Sequence, residues 1–369
     1  MFNRVFIALR RFGFGSQRSV PSLDGLRAVS IAFVMVAHLT GTRHFPSGLD
    51  TLGNLGQFGV RVFFVISGYL ITKILIDELG RKGDISLSRF YFRRTLRLFP
   101  ASYFFIAITA ILAAKHLVFL YAWDLTYALT YTMNFHDPRG WPLGHLWSLG
   151  VEEQFYLLWP LTFRVLKPAR SIRFLILIVM ITPLLRLLSP YVGPAFNFLV
   201  WSDALATGCL LALLRQQLAS NQSYRRLLAS RYFFMVPLVA LAANYVPFTK
   251  IYWLCSETTM NVAIAVCVDW AMRNCDGKVG RLLNLPAVSF AGVLSYSLYL
   301  WQQPFLNRNS TSVYCAFPLN IILAIAAALL SYLIIEVPFL RLRVRLERLR
   351  AKPVHPPNRV PEQIDSPVG

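Results

Sequence analysis

Arg27 and His38 stand eleven positions apart in the apolar run LDGLRAVSIAFVMVAHLTG. At ~100° per residue that offset closes on about three helical turns, so both side chains share one face, roughly 16 Å apart along the axis. Histidine is the side chain best suited to move a proton near neutral pH. A lone histidine on an apolar face is also an ordinary, satisfied core residue. Asp24, three residues before Arg27, can pair with it or open the helix as a cap.

A second pattern is basic. Arg89, Arg93 and Arg97 recur at every fourth position of SRFYFRRTLRLFP, with Arg94 beside them. On a helix they line one face. Guanidinium forks match phosphate oxygens, so the row can clamp a cytoplasmic phosphate compound. The ordinary reading is a positive loop at a membrane surface.

The third pattern is acidic. Glu152 and Glu153 are adjacent in HLWSLGVEEQFYLLWP. Neighbours on a helix point about 100° apart, so one of the two faces the bundle interior. A buried carboxylate must be paired, hydrogen-bonded or protonated. A pair with His38, at similar depth on another helix, is geometrically open; so is a structural ion pair.

These groups need elements to hold them. The chain has 369 residues, 56% of them hydrophobic, and a net charge of +20. Nucleic-acid binding would gather the basic residues on one charged face. Here they fall in short clusters between apolar runs, the pattern of a membrane protein. The fold predicted is an all-α polytopic membrane protein of about ten transmembrane helices. They lie near residues 26–44, 57–76, 98–118, 148–166, 173–190, 197–214, 232–249, 254–272, 285–306 and 317–339. Alternate loops hold most of the Lys and Arg, while the opposite loops hold only Arg43, Arg139, Lys250 and Arg308. That asymmetry places both termini in the cytoplasm. An eleventh span at 119–136 would invert every later loop, so that aromatic, half-polar stretch reads as interfacial or re-entrant.

Three regions follow. Residues 1–20 form a basic amphipathic segment suited to an anionic membrane surface. Residues 21–340 form the transmembrane domain. Residues 341–369, basic and then proline-rich, are expected to be a disordered cytoplasmic tail. The five cysteines form no C-x-x-C pair, and the histidines are too scattered for a zinc set, so neither disulfides nor a metal are expected.

The stretches PSLDGLRAVSIAFVMVAHL, GVRVFFVISGYLIT, FYFRRTLRLFP and GHLWSLGVEEQFYLLWP resemble the membrane-bound acyltransferase 3 family. SYSLYLWQQP and SYLIIEVPFLR resemble its closing spans, so the likeness covers roughly residues 20–345 in order. The resemblance implies transfer of an acyl group, most often acetyl, from cytoplasmic acyl-CoA to a carbohydrate hydroxyl. The acceptor would be a surface glycan or a lipid-linked glycan, and the location a bacterial inner membrane. Arg27 and His38 match the family's arginine–histidine motif; Arg93, Arg94 and Arg97 match its CoA-side motif; Glu152 and Glu153 match its V-E-E-Q stretch. One departure stands out. Many members carry histidine where this chain has Gln302 in Tyr-Leu-Trp-Gln-Gln-Pro.

The expected mechanism docks acyl-CoA on Arg93, Arg94 and Arg97, with Arg27 steering the phosphates or the pantetheine entrance. His38 then acts as general base, its tautomer fixed by Glu152 or Glu153. A transient acyl-histidine is the other route open to the same residues. The alternative is a transporter or flippase whose intramembrane charges line a path for a lipid-linked or acidic substrate.

Overall fold

Lys167 precedes Pro168, and that pair explains the longest feature of the chain. Proline disfavours the helical region for the residue before it. Lys167 leaves the helical region, though at a positive φ (59°, ψ 168°) that the proline alone does not favour, and breaks the run Leu146–Val192 into two helices. A computed structural model describes residues 20, 22–245 and 250–350. The N-terminal segment before Val20 and the tail after Arg350 lie outside the described residues.

All regular structure among the described residues is helical. We label the helices α1 (Leu23–Leu39), α2 (Leu55–Lys82), α3 (Leu87–Ala114), α4 (Asp124–Leu129), α5 (Trp141–Gly144) and α6 (Leu146–Val192). Then come α7 (Asn197–Ser220), α8 (Gln222–Ala229), α9 (Met235–Tyr245), α10 (Lys250–Arg273) and α11 (Lys278–Leu283). The last are α12 (Pro286–Phe305), α13 (Leu319–Ser331) and α14 (Val337–Arg350), the final two joined by a π-helical turn, Tyr332–Glu336.

Among the described residues, five runs are long and apolar enough to cross a membrane: Asp50–Lys82, Leu87–Ala114, Trp141–Leu188, Asn197–Ser220 and Leu319–Leu349. Each of the ten predicted spans falls on a helix, but not all are of this kind. Helix α1 has 17 residues, α9 has 11, and α10 and α12 turn polar side chains such as Asn261, Asp269, Gln302 and Gln303 inward. Helix α6 shows the opposite face of the problem. Its Leu157, Leu158, Leu161, Leu177, Leu184 and Leu188 are exposed, as suits contact with lipid rather than water.

Close backbone approach organises the bundle. Gly68 on α2 faces the Leu205 carbonyl, and Gly208 on α7 faces the Val65 carbonyl, where any side chain would collide. Small residues at such crossings let helix backbones touch. Phe64, Val65 and Ile66 of α2, Leu205 of α7 and Trp159 and Phe163 of α6 are buried around that crossing. Gly292 does the same for α12 against Asp24 of α1. Ser22 and Asn284 add a double hydrogen bond, 2.8 and 3.0 Å, at the same end. The two helices therefore run parallel, and their far ends bring His38 and Gln302 together.

The stretch 119–136 contains a six-residue helix, α4, and a short 3-10 turn at Met133–Phe135, neither long enough to span. Buried Asp124 organises it. The carboxylate accepts from the amides of Tyr121 (2.7 Å) and Gly140 (3.0 Å) and lies 3.0 Å from His136 Nε2. At the other end of the chain, α14 stays helical to Arg350, ten residues beyond the expected start of the tail.

Candidate active site

The arginine row lies on α3, as its spacing requires. Its members have carboxylate partners of their own. Arg93 makes a forked pair with Glu347 on α14, Nε at 2.8 Å and NH2 at 3.1 Å. Arg343 approaches the same carboxylate at 3.8 Å, and Arg89 lies 4.0 Å from Glu78. These groups line a cavity of about 590 Å³ that also touches Arg94 and Arg97. Five arginines face two glutamates there, a net of +3. The helical continuation of α14 is what supplies Arg343 and Glu347.

Arg94 and Arg97 also line a second cavity, of about 760 Å³, deeper in the bundle. Its polar wall includes Arg27, Ser67, Glu152, Ser148, Tyr296, Tyr299 and Glu336, and its apolar wall Val60, Phe63, Phe64, Leu98, Leu149 and Val293. A chamber with convergent charged and hydroxyl groups facing an apolar wall suits a small-molecule ligand. Arg27 pairs with Asp24 across one helical turn at 3.9 Å. Of the predicted residues, then, Arg27, Arg94, Arg97 and Glu152 meet in one chamber, and Arg93 stands at its basic entrance.

The two glutamates divide their roles. Glu152 lines the deeper cavity. It accepts from the Ser67 hydroxyl (2.5 Å), from the Tyr156 hydroxyl and from Arg94 (3.4 Å). Glu153 accepts from Arg94 Nε at 3.3 Å. The Arg94 guanidinium also lies 3.4 Å from the centre of the Tyr156 ring.

His38 keeps different company. Its Nδ1 lies 2.8 Å from Oε1 of Gln302, and its ring meets Trp141 edge-on at 5.7 Å. The expected His–Glu pair is therefore replaced. The carboxylates are engaged by Arg94, Ser67 and Tyr156, and an amide from α12 holds the imidazole. Helix packing is the reason, since Gly292 draws α12, not α6, along α1.

Sequence reasoning passed over the residues that connect the two ends. Tyr299 and Ser148 line the deeper cavity and hydrogen-bond to each other at 2.5 Å. Tyr299 also donates to the carbonyl of His145 at 2.6 Å, and its ring packs against the His145 ring at 5.2 Å. The His145 ring is buried beside the Leu300 carbonyl. Pro304, four residues on, has no N–H for that carbonyl. The only signal for these groups was a polar residue inside an apolar motif, and one sequence holds many of those.

A separate set of charges is buried between α2, α6, α7 and α10. Arg186 contacts Asp203 (2.5 Å) and Glu257 (2.7 Å), while Arg61 pairs with Glu257 and lies 3.9 Å from Asp203. Two cations and two anions balance, as buried charges must.

Comparison with known proteins agrees with the motifs. The model of acyltransferase family 3, described as an acyltransferase domain, matches residues 20–337. The O-acetyltransferase OatA of Staphylococcus aureus is 30% identical over 360 residues, covering 88% of this chain and 57% of that protein. The peptidoglycan O-acetyltransferase OatA of Listeria monocytogenes is 28% identical over 358 residues, covering 88% and 55%. The chain thus spans little more than half the length of these relatives. No solved structure matches it. With the family's model matching most of its length, and Arg27, Arg94, Arg97 and Glu152 of its motifs gathered around one chamber, this chain belongs to the acyltransferase 3 family.

Proposed function

We propose that the protein is an integral membrane O-acyltransferase that moves an acetyl group from cytoplasmic acetyl-CoA to a hydroxyl of a glycan acceptor. The observation that carries this reading is the pair Arg94 and Arg97, which line both the basic outer cavity and the deeper chamber. Phosphates held at Arg89, Arg93 and Arg97 leave the pantetheine arm pointed into a partly apolar chamber. Ten crossings with both termini cytoplasmic put that basic entrance on the donor's side, in keeping with the Lys and Arg distribution.

The chemistry follows from the groups present. The acceptor hydroxyl gives its proton to His38, and its oxygen attacks the thioester carbonyl. The carbon–sulfur bond breaks, and the thiolate of CoA leaves, taking up the proton from His38. The acceptor approaches from the opposite side, where Trp141 and Arg308 flank the His38 end of α1; Arg308 donates to the Ala37 carbonyl at 3.3 Å. The peptidoglycan O-acetyltransferase of Listeria monocytogenes among the relatives favours peptidoglycan as the acceptor among bacterial surface glycans; the location proposed with it is the bacterial cytoplasmic (inner) membrane.

Purified protein in lipid vesicles, given acetyl-labelled CoA and muropeptides or lipid-linked glycan, should place label on the glycan. His38→Ala, well expressed and folded, should abolish it. Full acetylation by that variant would sink the mechanism. Movement of a glycan lipid across the vesicle without consumption of acetyl-CoA would sink the enzyme reading in favour of a transporter.

A further inference from the structure

The imidazole of His38 can carry its one neutral-state proton on either nitrogen, and only the other nitrogen can act as base. Resting on the acyl-transfer reading for its catalytic meaning, we propose that Gln302 and Gln303 are positioning residues that lock this proton on Nδ1, leaving Nε2 as the atom that takes the acceptor's proton.

The argument starts from a group that cannot be reversed. The backbone carbonyl of Trp141 is an acceptor only. The Gln303 side chain meets it at 3.0 Å, so the Gln303 amide must present its Nε2 there. Its Oε1 then points to Gln302, and the contact at 3.3 Å requires the Gln302 Nε2 to donate. That turns Oε1 of Gln302 toward His38, where it meets Nδ1 at 2.8 Å. An amide oxygen can only accept, so Nδ1 carries the hydrogen.

Reversal is costly at every link. Flipping Gln302 alone sets its oxygen against the Gln303 oxygen. Flipping both sets the Gln303 oxygen against the Trp141 carbonyl. Gln302 and Gln303 are both buried, so water is a poor substitute, and a buried polar group without a partner is strongly disfavoured. The anchor is itself held, because the Trp141 indole donates to the Gln303 carbonyl at 2.8 Å. Two reciprocal bonds thus tie α5 to the end of α12, and the direction set there is passed through two amides to the imidazole.

This gives a physical account of glutamine at the position where the family motif it resembles carries histidine. A histidine at 302 would have two tautomers of its own and would need a further partner to choose between them. A glutamine whose orientation is fixed by an acceptor-only carbonyl presents a permanent oxygen.

The test is nitrogen NMR of the full-length protein in nanodiscs, with only histidine ring nitrogens labelled. Spectra are taken well above the ordinary imidazole pKa, so that His38 is neutral. Subtraction of the His38→Ala spectrum isolates its ring among the six histidines. A protonated Nδ1 with an unprotonated Nε2 is expected; the reverse tautomer, or an even mixture, overturns the proposal. Two variants add a functional readout. Gln302→Glu keeps an acceptor facing Nδ1 and should keep the tautomer, but its second oxygen meets the Gln303 oxygen, so turnover should fall, though less than without an acceptor. Gln302→Met fills similar volume without an acceptor, and should mix the tautomers and lower kcat about tenfold or more while the KM for acetyl-CoA stays put. Equal activity of the Met and Glu variants would count against the positioning role. Failure of this idea is separable from failure of the acyl-transfer reading. A chain that acetylates nothing yet shows the expected tautomer keeps the proton placement and loses the enzyme; an active enzyme with the hydrogen on Nε2 does the reverse.

Discussion

Arg94 reaches both members of the adjacent acidic pair, donating to Glu152 at 3.4 Å and to Glu153 at 3.3 Å. One guanidinium is therefore shared by two carboxylates, with its flat face over Tyr156. Only Glu152 of the two lines the chamber. The division suggests that Glu153 holds Arg94 in place while Glu152 faces the ligand.

Removing Arg94 would leave two neighbouring, mostly buried carboxylates without their cation. Breaking such a set by taking one partner costs on the order of 3 kcal/mol. Arg94→Met should therefore unfold at lower temperature in detergent, and Glu153→Gln in the same chain should recover part of the loss. A thermal-shift comparison of the two single variants and the double variant checks this. An unaltered midpoint in Arg94→Met would show that the shared cation contributes nothing to stability.

The arginines at the entrance should not be equivalent. Arg93, forked onto Glu347, lines only the outer cavity, whereas Arg97 lines both cavities. A hydrogen bond to a charged group contributes about 1.5–3 kcal/mol. Arg97→Gln should then raise the KM for acetyl-CoA by roughly tenfold to a hundredfold, and Arg93→Gln by less. With S-acetylpantetheine, which has no nucleotide phosphates, the gap between the two variants should close. Steady-state kinetics with both donors decides it.

The chemical residues were legible in the sequence, but their partners were not. Arg27 and Glu152 stood out as ionisable groups in apolar runs, and Arg94 and Arg97 as members of a basic row; the four share a chamber. The helix positions were legible too, since long apolar runs such as Leu87–Ala114 and Asn197–Ser220 are read from length and apolarity alone. Periodicity gives the face of a helix, however, not the neighbour that covers it. The pairing of His38 with Gln302 depends on Gly292, whose missing side chain lets α12 approach α1. A glycine in an apolar run announces no partner. The helical course of α14 was hidden differently: its arginines looked like a solvated tail until Glu347 met Arg93 across 254 residues.

The Gly292 contact can be tested directly. Its backbone lies against the Asp24 carbonyl with no space for a Cβ. Gly292→Ala must push α12 away from α1, and overpacking of this kind costs about 1–3 kcal/mol. Because His38 and Gln302 sit at the far ends of the same two helices, turnover should fall more than stability does. Parallel measurement of melting temperature and acetyl transfer checks the claim. A variant that loses stability but keeps full specific activity would mean that this crossing does not govern the His38 end.

Tyr299 joins the chamber to the histidine end, and its hydroxyl is the joint. It donates to the His145 carbonyl at 2.6 Å and meets Ser148 at 2.5 Å. Tyr299→Phe keeps the ring against His145 but removes both bonds. The loss of a buried hydrogen bond is worth about 1–1.5 kcal/mol, so if the hydroxyl orders the segment that carries His145 and Ser148, kcat should fall roughly tenfold. The KM for acetyl-CoA should stay nearly constant, because the arginines proposed to hold the phosphates line the outer cavity, which Tyr299 does not reach. Ser148→Ala leaves the bond from Tyr299 to the carbonyl in place, so its effect should be smaller. A rise in KM without a fall in kcat for Tyr299→Phe would instead make this hydroxyl a contact for the donor's arm.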